Sequence, residues 1–561
     1  MSISRTLILS LSLSSALLSY SQEQDYGTIS GNLDVTGQYY TEDESINAFP
    51  PDAIFGMNGF GNLNYTRGNF KAGLRYESYL NPLLGYPVEF QGTGIGYRYA
   101  AWENEDMQVT IGNFYEQFGT GMILRSFEER TLGLDNAFDG LKVLYRPTPG
   151  MQIKGLVGKQ RFQFDDGLVN GKGIVRGMDV ELSLGELFNP IMLDSTELQI
   201  RLGASFVSKF NDDNPTTIYA LPKNVGAYGG RIEASYGDFR ALAEYTYKEN
   251  DPYPTTSDFM DPFNYLYKGG EGILVNLGYS TKGFALDLTA KHTDNILWRS
   301  TNQSVTPTAL FVGFNPAITK QHTYNLASTL YPYATNLLGE IAFNADLIYK
   351  LDKGTPLGGK YGTTITVGLA TAYAPERQFL NDQEGARQGY TTRWFDISDS
   401  LLVRDFNVML DRKLSKKIKA KLMYMNLNFE DRAVLVAVKH EFIKANIAIA
   451  DVLWKVKGKH SLRFEAQGLF TKQDQGDWAF GLIEYTYSPH WSISLLDQYN
   501  YGNHDANKRT HYALMNVTHV RGPHRFSVQY GRQRAGFFCV GGVCRFVPAS
   551  NGLTLGLSTS F

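Results

Sequence analysis

The sequence predicts an all-β fold, a transmembrane antiparallel β-barrel of about 24 strands (22–26) with short periplasmic turns and long extracellular loops, on three observations. Segment after segment, each roughly nine to fourteen residues long, alternates apolar and polar side chains with period two. Short turns alternate along the chain with longer polar loops. The sequence then stops in mid-strand on NGLTLGLSTSF, 551–561, with Leu553, Leu555, Leu557, Thr559 and Phe561 on one face. A soluble sheet rarely leaves such an aromatic end uncovered, whereas a barrel in lipid needs its last strand to reach the membrane edge and close on the first. Phe561 is therefore the expected C-terminal assembly signal.

The first residues, MSISRTLILSLSLSSALLSYSQ, place Arg5 before an apolar run from Leu7 to Leu18, with Ser19 and Ser21 flanking Tyr20. A short cation-led apolar run before small residues is the pattern of a cleavable secretory signal, so residues 1–21 are expected to be a signal peptide and 22–561 the barrel. That run is too short for a comfortable membrane helix, and nothing later approaches the roughly 18 uninterrupted apolar residues such a helix needs. Mean hydropathy is −0.26. No Pro/Ser linker, charge block or composition shift marks a domain boundary, which favours one continuous architecture. The 56 glycines, 35 tyrosines and 34 phenylalanines suit tight turns and interfacial rings. A net charge of −3 supplies no basic field for nucleic acid.

Individual strands show the two faces. In FRALAEYTYK, Phe239, Ala241, Ala243, Tyr245 and Tyr247 oppose Arg240, Glu244, Thr246 and Lys248, with Leu242 the exception. In IKAKLMY, Ile418, Ala420, Leu422 and Tyr424 oppose Lys419 and Lys421; in SLRFEAQGLF, Leu462, Phe464, Ala466 and Phe470 oppose Arg463, Glu465 and Gln467. One such strand also fits a half-buried soluble sheet; the number of them decides for a barrel. The polar faces carry charge of both signs, which predicts a solvated, mutually compensating lumen wall.

Short turns are expected at 67–69, 104–106, 147–150, 237–238, 281–283, 414–417, 457–460, 488–490 and 521–524, and long loops at 41–53, 164–173, 210–222, 250–267, 294–337 and 377–400. With the N-terminus at the periplasm, every one of those short turns falls on the periplasmic side. FNPIMLDST, 188–196, is a longer periplasmic connection that breaks the rhythm, and 294–337 and 430–445 are hard to divide into strands.

The densest unusual segment is FGTGMILRSFEERTLGLDN, 118–136, leaving the fifth strand on the outer side. Arg125, Glu128, Glu129 and Arg130 crowd cations and anions between Gly119, Gly121 and Gly133. Mixed charge on an inward-folded outer loop sets porin selectivity, so the segment is a candidate constriction loop; the alternative is an outer loop whose charges are solvated or hold it down. In FFCVGGVCRF the Gly541-Gly542 turn sets Cys539 opposite Cys544, and a disulfide is expected in this oxidising compartment.

Enzyme signatures are missing: there is no HExxH, GxSxG or P-loop, and His504, His511, His519 and His524 are too scattered for a site. GTGIG, 92–96, sits within a strand and opens no helix, so it is not a dinucleotide loop. NDDNP, 211–215, is explained by a solvated acidic loop as well as by weak calcium attraction. No catalytic residue, metal or cofactor is expected.

NFYEQFGTGMILRSFEERTLGLDNAFDG (113–140), GGKYG (358–362) and KHSLRFEAQGLFTKQDQGDWAFG (459–481) give the chain a resemblance to large Bacteroidota outer-membrane barrel proteins grouped as a domain of unknown function, along nearly the whole mature length. The resemblance implies an outer-membrane barrel and supplies no catalytic or binding residues. Barrels of that phylum are often subunits of larger machines for nutrient import, secretion or barrel assembly. Two expectations follow: a porin-like channel, or an accessory barrel in a multi-protein outer-membrane machine with a filled or closed lumen. The expected partners are outer-membrane lipids, the barrel-assembly machinery during biogenesis, and other outer-membrane proteins or lipoproteins, without nucleic acid. Alternation beginning near Gly27 leaves no room for an N-terminal plug domain, which argues against TonB-dependent import.

Overall fold

A computed structural model describes residues 26–561 apart from 88, 189–197, 213–220, 255–264, 302–309, 381–388, 431–441 and 541–542. Its main sheet has 24 strands, each paired antiparallel with the next along the chain. The first, Thr28–Tyr40, pairs on one side with Phe55–Arg67 and on the other with Ser550–Ser560, so the sheet closes on itself. Closure leaves no unpaired edge, the condition for a sheet in lipid.

Alternation along each strand sorts the side chains between lumen and membrane. In Phe239–Lys248 the side chains of Glu244, Thr246 and Lys248 are buried inward, while Phe239, Tyr245 and Tyr247 are exposed outward. Near the short turns, Phe239, Tyr279, Phe284 and Tyr349 touch in sequence at ring distances of 4.5, 5.9 and 6.4 Å, part of an interfacial aromatic girdle. Among the described residues no helix is long and apolar enough to cross a membrane. An even-stranded closed barrel with an apolar outer band and aromatic girdle is an outer-membrane protein.

All the expected short turns join neighbouring strands on the side where Thr28–Tyr40 begins and Ser550–Ser560 ends. FNPIMLDST begins at the end of the short helix Leu184–Phe188 and otherwise lies outside the described residues. A second long periplasmic connection, 352–362, was not anticipated. The expected loop at 164–173 is a correction: Met151–Asp165 and Leu168–Ser183 run on to a tight turn at Asp166-Gly167, where Asp166 has φ 48°. These strand ends read as loop because they rise past the apolar band, where lipid no longer imposes an apolar face. Within the expected 294–337 loop lies the helix Asn325–Thr329. Of 430–445, residues 431–441 lie outside the described residues.

One notch in the wall positions the interior. Met107–Phe114 and Phe138–Thr148 stop short on the extracellular side, and their outer neighbours meet above them through the parallel pairs Phe164↔Phe90 and Asp165↔Gln91. The chain between, 115–137, turns into the barrel beneath that bridge. Among the described residues the two largest apolar cores lie in the lumen, between inward loops and the wall.

Candidate functional site: the loop-filled lumen

Loop 115–137 is built from two minimal hairpins, Gln117–Phe118 with Leu124–Arg125 and Glu128–Glu129 with Leu134–Asp135. Phe118, Ile123 and Leu124 are buried against the lumen-facing Leu156, Val175, Val207 and Ala227. At the tip the Thr120 N–H donates to Glu244 Oε2 at 2.8 Å. Gly119 has φ 53°, and a Cβ there would meet the Glu244 carboxylate at 2.6 Å, so only glycine lets the loop approach the wall this closely.

A second loop, 295–338, lies against the first. Trp298 Nε1 donates to the Ile123 carbonyl at 3.1 Å, Arg125 N to Val312 O at 2.7 Å and Phe314 N to Gly121 O at 2.9 Å. Further round the barrel, the helix Asn325–Thr329 reaches the wall, where Leu326 N donates to Gln467 Oε1 at 2.9 Å and Tyr324 Oη to Asp451 Oδ2 at 3.2 Å. Beneath it the inward faces of Ile418–Glu430 and Phe442–Lys457 are apolar: Met423, Met425, Leu427 and Phe429 on one strand, Ile443, Ile447 and Ile449 on the next.

Charge anchors loop 115–137 to the wall on both sides of the notch, at Phe70–Leu80 and Met151–Asp165. Arg161 and Glu77, both with fully buried side chains, form a bidentate pair with Nη1–Oε1 and Nη2–Oε2 at 2.7 Å. Arg75 bonds Glu77 at 2.6 Å, Glu128 at 3.0 Å and Asp135; Arg161 also reaches Asp135 at 2.9 Å. Two loop carboxylates thus neutralise guanidiniums projected from the wall. Such a cluster fixes geometry more than it adds net stability, because desolvation offsets much of the attraction.

The residues singled out from sequence have distinct places in this arrangement. Glu128 bridges Arg75 and Arg130, with its bond to Arg130 Nε at 2.6 Å. Arg130 also faces Asp34 at 3.4 Å and stacks over the Phe60 ring at 4.5 Å. Glu129 caps the 3-10 helix Arg130–Leu132 by accepting from Thr131 N. Arg125 stands apart, its guanidinium over the Phe127 ring at 4.4 Å, with burial pulling its pKa below the ordinary arginine value. Backbone register pairs Cys539 with Cys544 in the hairpin Gly536–Val540/Val543–Val547; the turn at 541–542 lies outside the described residues. That hairpin sits over the lumen mouth, with Arg545 on the Tyr86 ring at 4.9 Å. His504, His511, His519 and His524 do not converge: His511 bonds Asp497 at 2.6 Å and His524 bonds Thr559 at 2.6 Å. NDDNP lies partly outside the described residues.

In the periplasmic half some inward charges are paired: Arg231 meets Asp179 at 2.8 Å and the exposed Lys419 meets Asp411 at 2.8 Å. Glu244 and Lys248 depart from that expectation and bind loop backbone instead, Lys248 Nζ donating to Leu297 O at 2.9 Å. Sequence reading missed Arg75, Glu77 and Arg161. Their signal was GTGIG: a Cβ on Gly96 would overlap the Glu77 carboxylate, so the glycine run makes room for the buried pair.

No curated protein matches the chain. Among solved structures, the barrel is similar to the copper transporter OprC, with TM-score 0.39 and 10% identity over 97% of this chain and 81% of that one. It is similar to the translocation pore of the P pilus usher PapC, with TM-score 0.36 and 10% identity over 95% and 98%. The outer membrane protein opdK from Pseudomonas aeruginosa gives TM-score 0.32 and 10% identity over 84% and 99%. At TM-scores this low, no cargo or partner is carried over from these proteins. A family model matches residues 3–561, and by that match the chain belongs to the family described as a family of unknown function, DUF6029.

Proposed function

We propose that this protein is an accessory barrel of a multi-protein outer-membrane assembly, exported by a signal peptide at 1–21, with its lumen filled by its own loops. The observation that carries the reading is the inward apolar face of Met423, Met425, Leu427, Phe429, Ile443, Ile447 and Ile449 under the helix Asn325–Thr329. A water-filled pore would wet that face, at roughly 25 cal/mol for each Å² of apolar surface. Packed under a loop, it instead holds the lumen shut. The role is non-enzymatic; it is supported by lumen charges engaged with one another or with loop backbone. Long outer loops then serve as contact surfaces for other outer-membrane proteins or lipoproteins.

The porin-like reading has one observation in its favour, a cavity of about 170 Å³ between Asn325 and Thr329 of the helix and Gln498 and Gln529 of the wall. In that reading Arg125, Glu128, Glu129 and Arg130 would form the constriction. Planar-bilayer recording separates the two. The filled barrel should be silent, and replacing 118–134 and 317–334 together with short Gly/Ser linkers should produce conductance. Steady currents from the wild type, with ion preference moved toward cations by Arg125→Gln and Arg130→Gln, would replace the accessory role with a channel. A mild-detergent pull-down from native membranes should recover stoichiometric partners.

A further inference from the structure

The membrane-facing side of the strands from Ile397–Lys413 to Trp478–Tyr487 carries a column of side chains ordered by chemistry. Directly opposed residues there fall into rows. Ala450, Ala466 and Gly481 form one row, and Ala448, Gly468 and Ala479 form the next toward the extracellular side. Ala448, Ala450 and Ala466 floor a groove of about 500 Å³ flanked by Leu410, Leu422 and Tyr424, and beside them the Phe470 ring lies over Gly468. Leu422 and Tyr424 are about half exposed, at 52% and 47%.

One pleat further out, the row is Phe406, Asn426, Asn446 and Phe470. Tyr424 Oη and Asn426 Nδ2 both donate to Asn446 Oδ1, at 2.8 and 3.0 Å. The exposed Asn446 amide therefore presents its own N–H donors at the head of the groove. Above it comes Arg404, Asn428 and Lys444. Arg404 and Lys444 are exposed, and among the described residues neither meets a carboxylate within ion-pair distance. Glu430 lies a further pleat out, opposite Phe442.

From mid-membrane outward the order is an apolar trough, amide donors, then cations. We infer that this column binds one acylated, phosphorylated glycolipid of the outer leaflet, with an acyl chain in the trough over Ala448, Ala450 and Ala466, ester or amide carbonyls at Asn446 and a phosphate between Arg404 and Lys444. Charge complementarity selects an anion, since two exposed cations on either side of Asn428 attract one between them. The trough selects an acyl chain, because Ala448, Ala450 and Ala466 let a slender chain lie close to the backbone between the exposed Leu422 and Tyr424 on one side and the Phe470 ring over Gly468 on the other. The cations stand at the extracellular rim, which places the anion in the outer leaflet.

The test is native mass spectrometry of the purified barrel, stripped of lipid and then titrated in parallel with lipid A and with phosphatidylglycerol. Wild type should retain one lipid A through activation energies that remove phosphatidylglycerol. Retention should fall about tenfold in the Arg404→Gln/Lys444→Gln double variant and in Ala448→Leu, which fills the trough. Val528→Leu on a distant outward face should change nothing. Each variant is checked for folding by heat-modifiable gel mobility, and Ala450→Leu takes the place of Ala448→Leu should that one misfold. Equal retention across all variants, or equal retention of the two lipids, would overturn the proposal. So would a photo-crosslinker at residue 448 that captures a protein rather than a lipid in native membranes.

Discussion

Phe561 lies across the barrel seam from Gly31, and each backbone N–H donates to the other's carbonyl at 3.0 Å. The aromatic ring covers the glycine so closely that a Cβ on Gly31 would meet Phe561 Cζ at 2.6 Å. Phe561 therefore extends the ladder between Thr28–Tyr40 and Ser550–Ser560 that closes the ring of strands, and its aromatic ring is 73% exposed. Deleting Phe561 should lower the amount of folded barrel in the outer membrane, read by fractionation and heat-modifiable mobility. Gly31→Val should do the same with the C-terminus intact, because its side chain displaces the ring and presses on the Asn62 carbonyl, which a Cβ there would meet at 2.6 Å. Unchanged insertion of both variants would remove the assembly role.

Glu77 balances Arg161 and Arg75 in the lumen, so Glu77→Gln leaves buried guanidiniums short of one carboxylate. The expected cost is about 3–5 kcal/mol in detergent-refolding equilibria. Loop 115–137 should loosen with it, giving new tryptic cleavage at Arg125 and Arg130. The double variant Glu77→Leu/Arg161→Met should be less destabilised than Glu77→Gln alone, since it removes the charges together. A loop that stays protease-resistant in Glu77→Gln would show that the apolar packing of Phe118 and Leu124 suffices.

Leu326 anchors the helix of the second inward loop among Met425, Leu427 and Ile447. Leu326→Ala should cost about 2–5 kcal/mol of local stability, the usual range for an aliphatic core truncation. Because the barrel ladder does not depend on it, hydrogen exchange should rise in 317–334 and remain slow in the strands. Global loss of heat-modifiability would mean that loop and wall fold as one unit.

A Cys539–Cys544 bridge should hold the final outer hairpin. Mass spectrometry without reductant is expected to find the two thiols joined, and a Cys539→Ser/Cys544→Ser protein should insert normally while 534–550 becomes easier to cleave. The closed loop is short, so the entropic contribution is small, about 2 kcal/mol or less. Free thiols in the wild type would end this proposal.

By itself the sequence determined the wall. Period-two alternation is a local property, so Glu244 and Tyr245 fall on opposite faces whatever the rest of the chain does, and lipid penalises any other arrangement. The even strand number, the short-turn side and the outer-membrane location follow from the same alternation and from the rhythm of the connections. The 164–173 error came where lipid stops acting as a constraint on the strand. Only the tertiary structure decided what fills the barrel. Loop 118–136 was visible as a charged, glycine-flanked segment, but its inward course depends on Thr120 reaching Glu244 and on wall guanidiniums at Arg75 and Arg161, far from it in sequence. LMYMNLNF shows the same limit: alternation from Ile418 already sets Leu422 and Tyr424 toward the membrane, but it cannot say whether the inward Met423 and Met425 meet water or a packed loop. That choice is made by long-range packing under Leu326, whose free energy no local pattern carries.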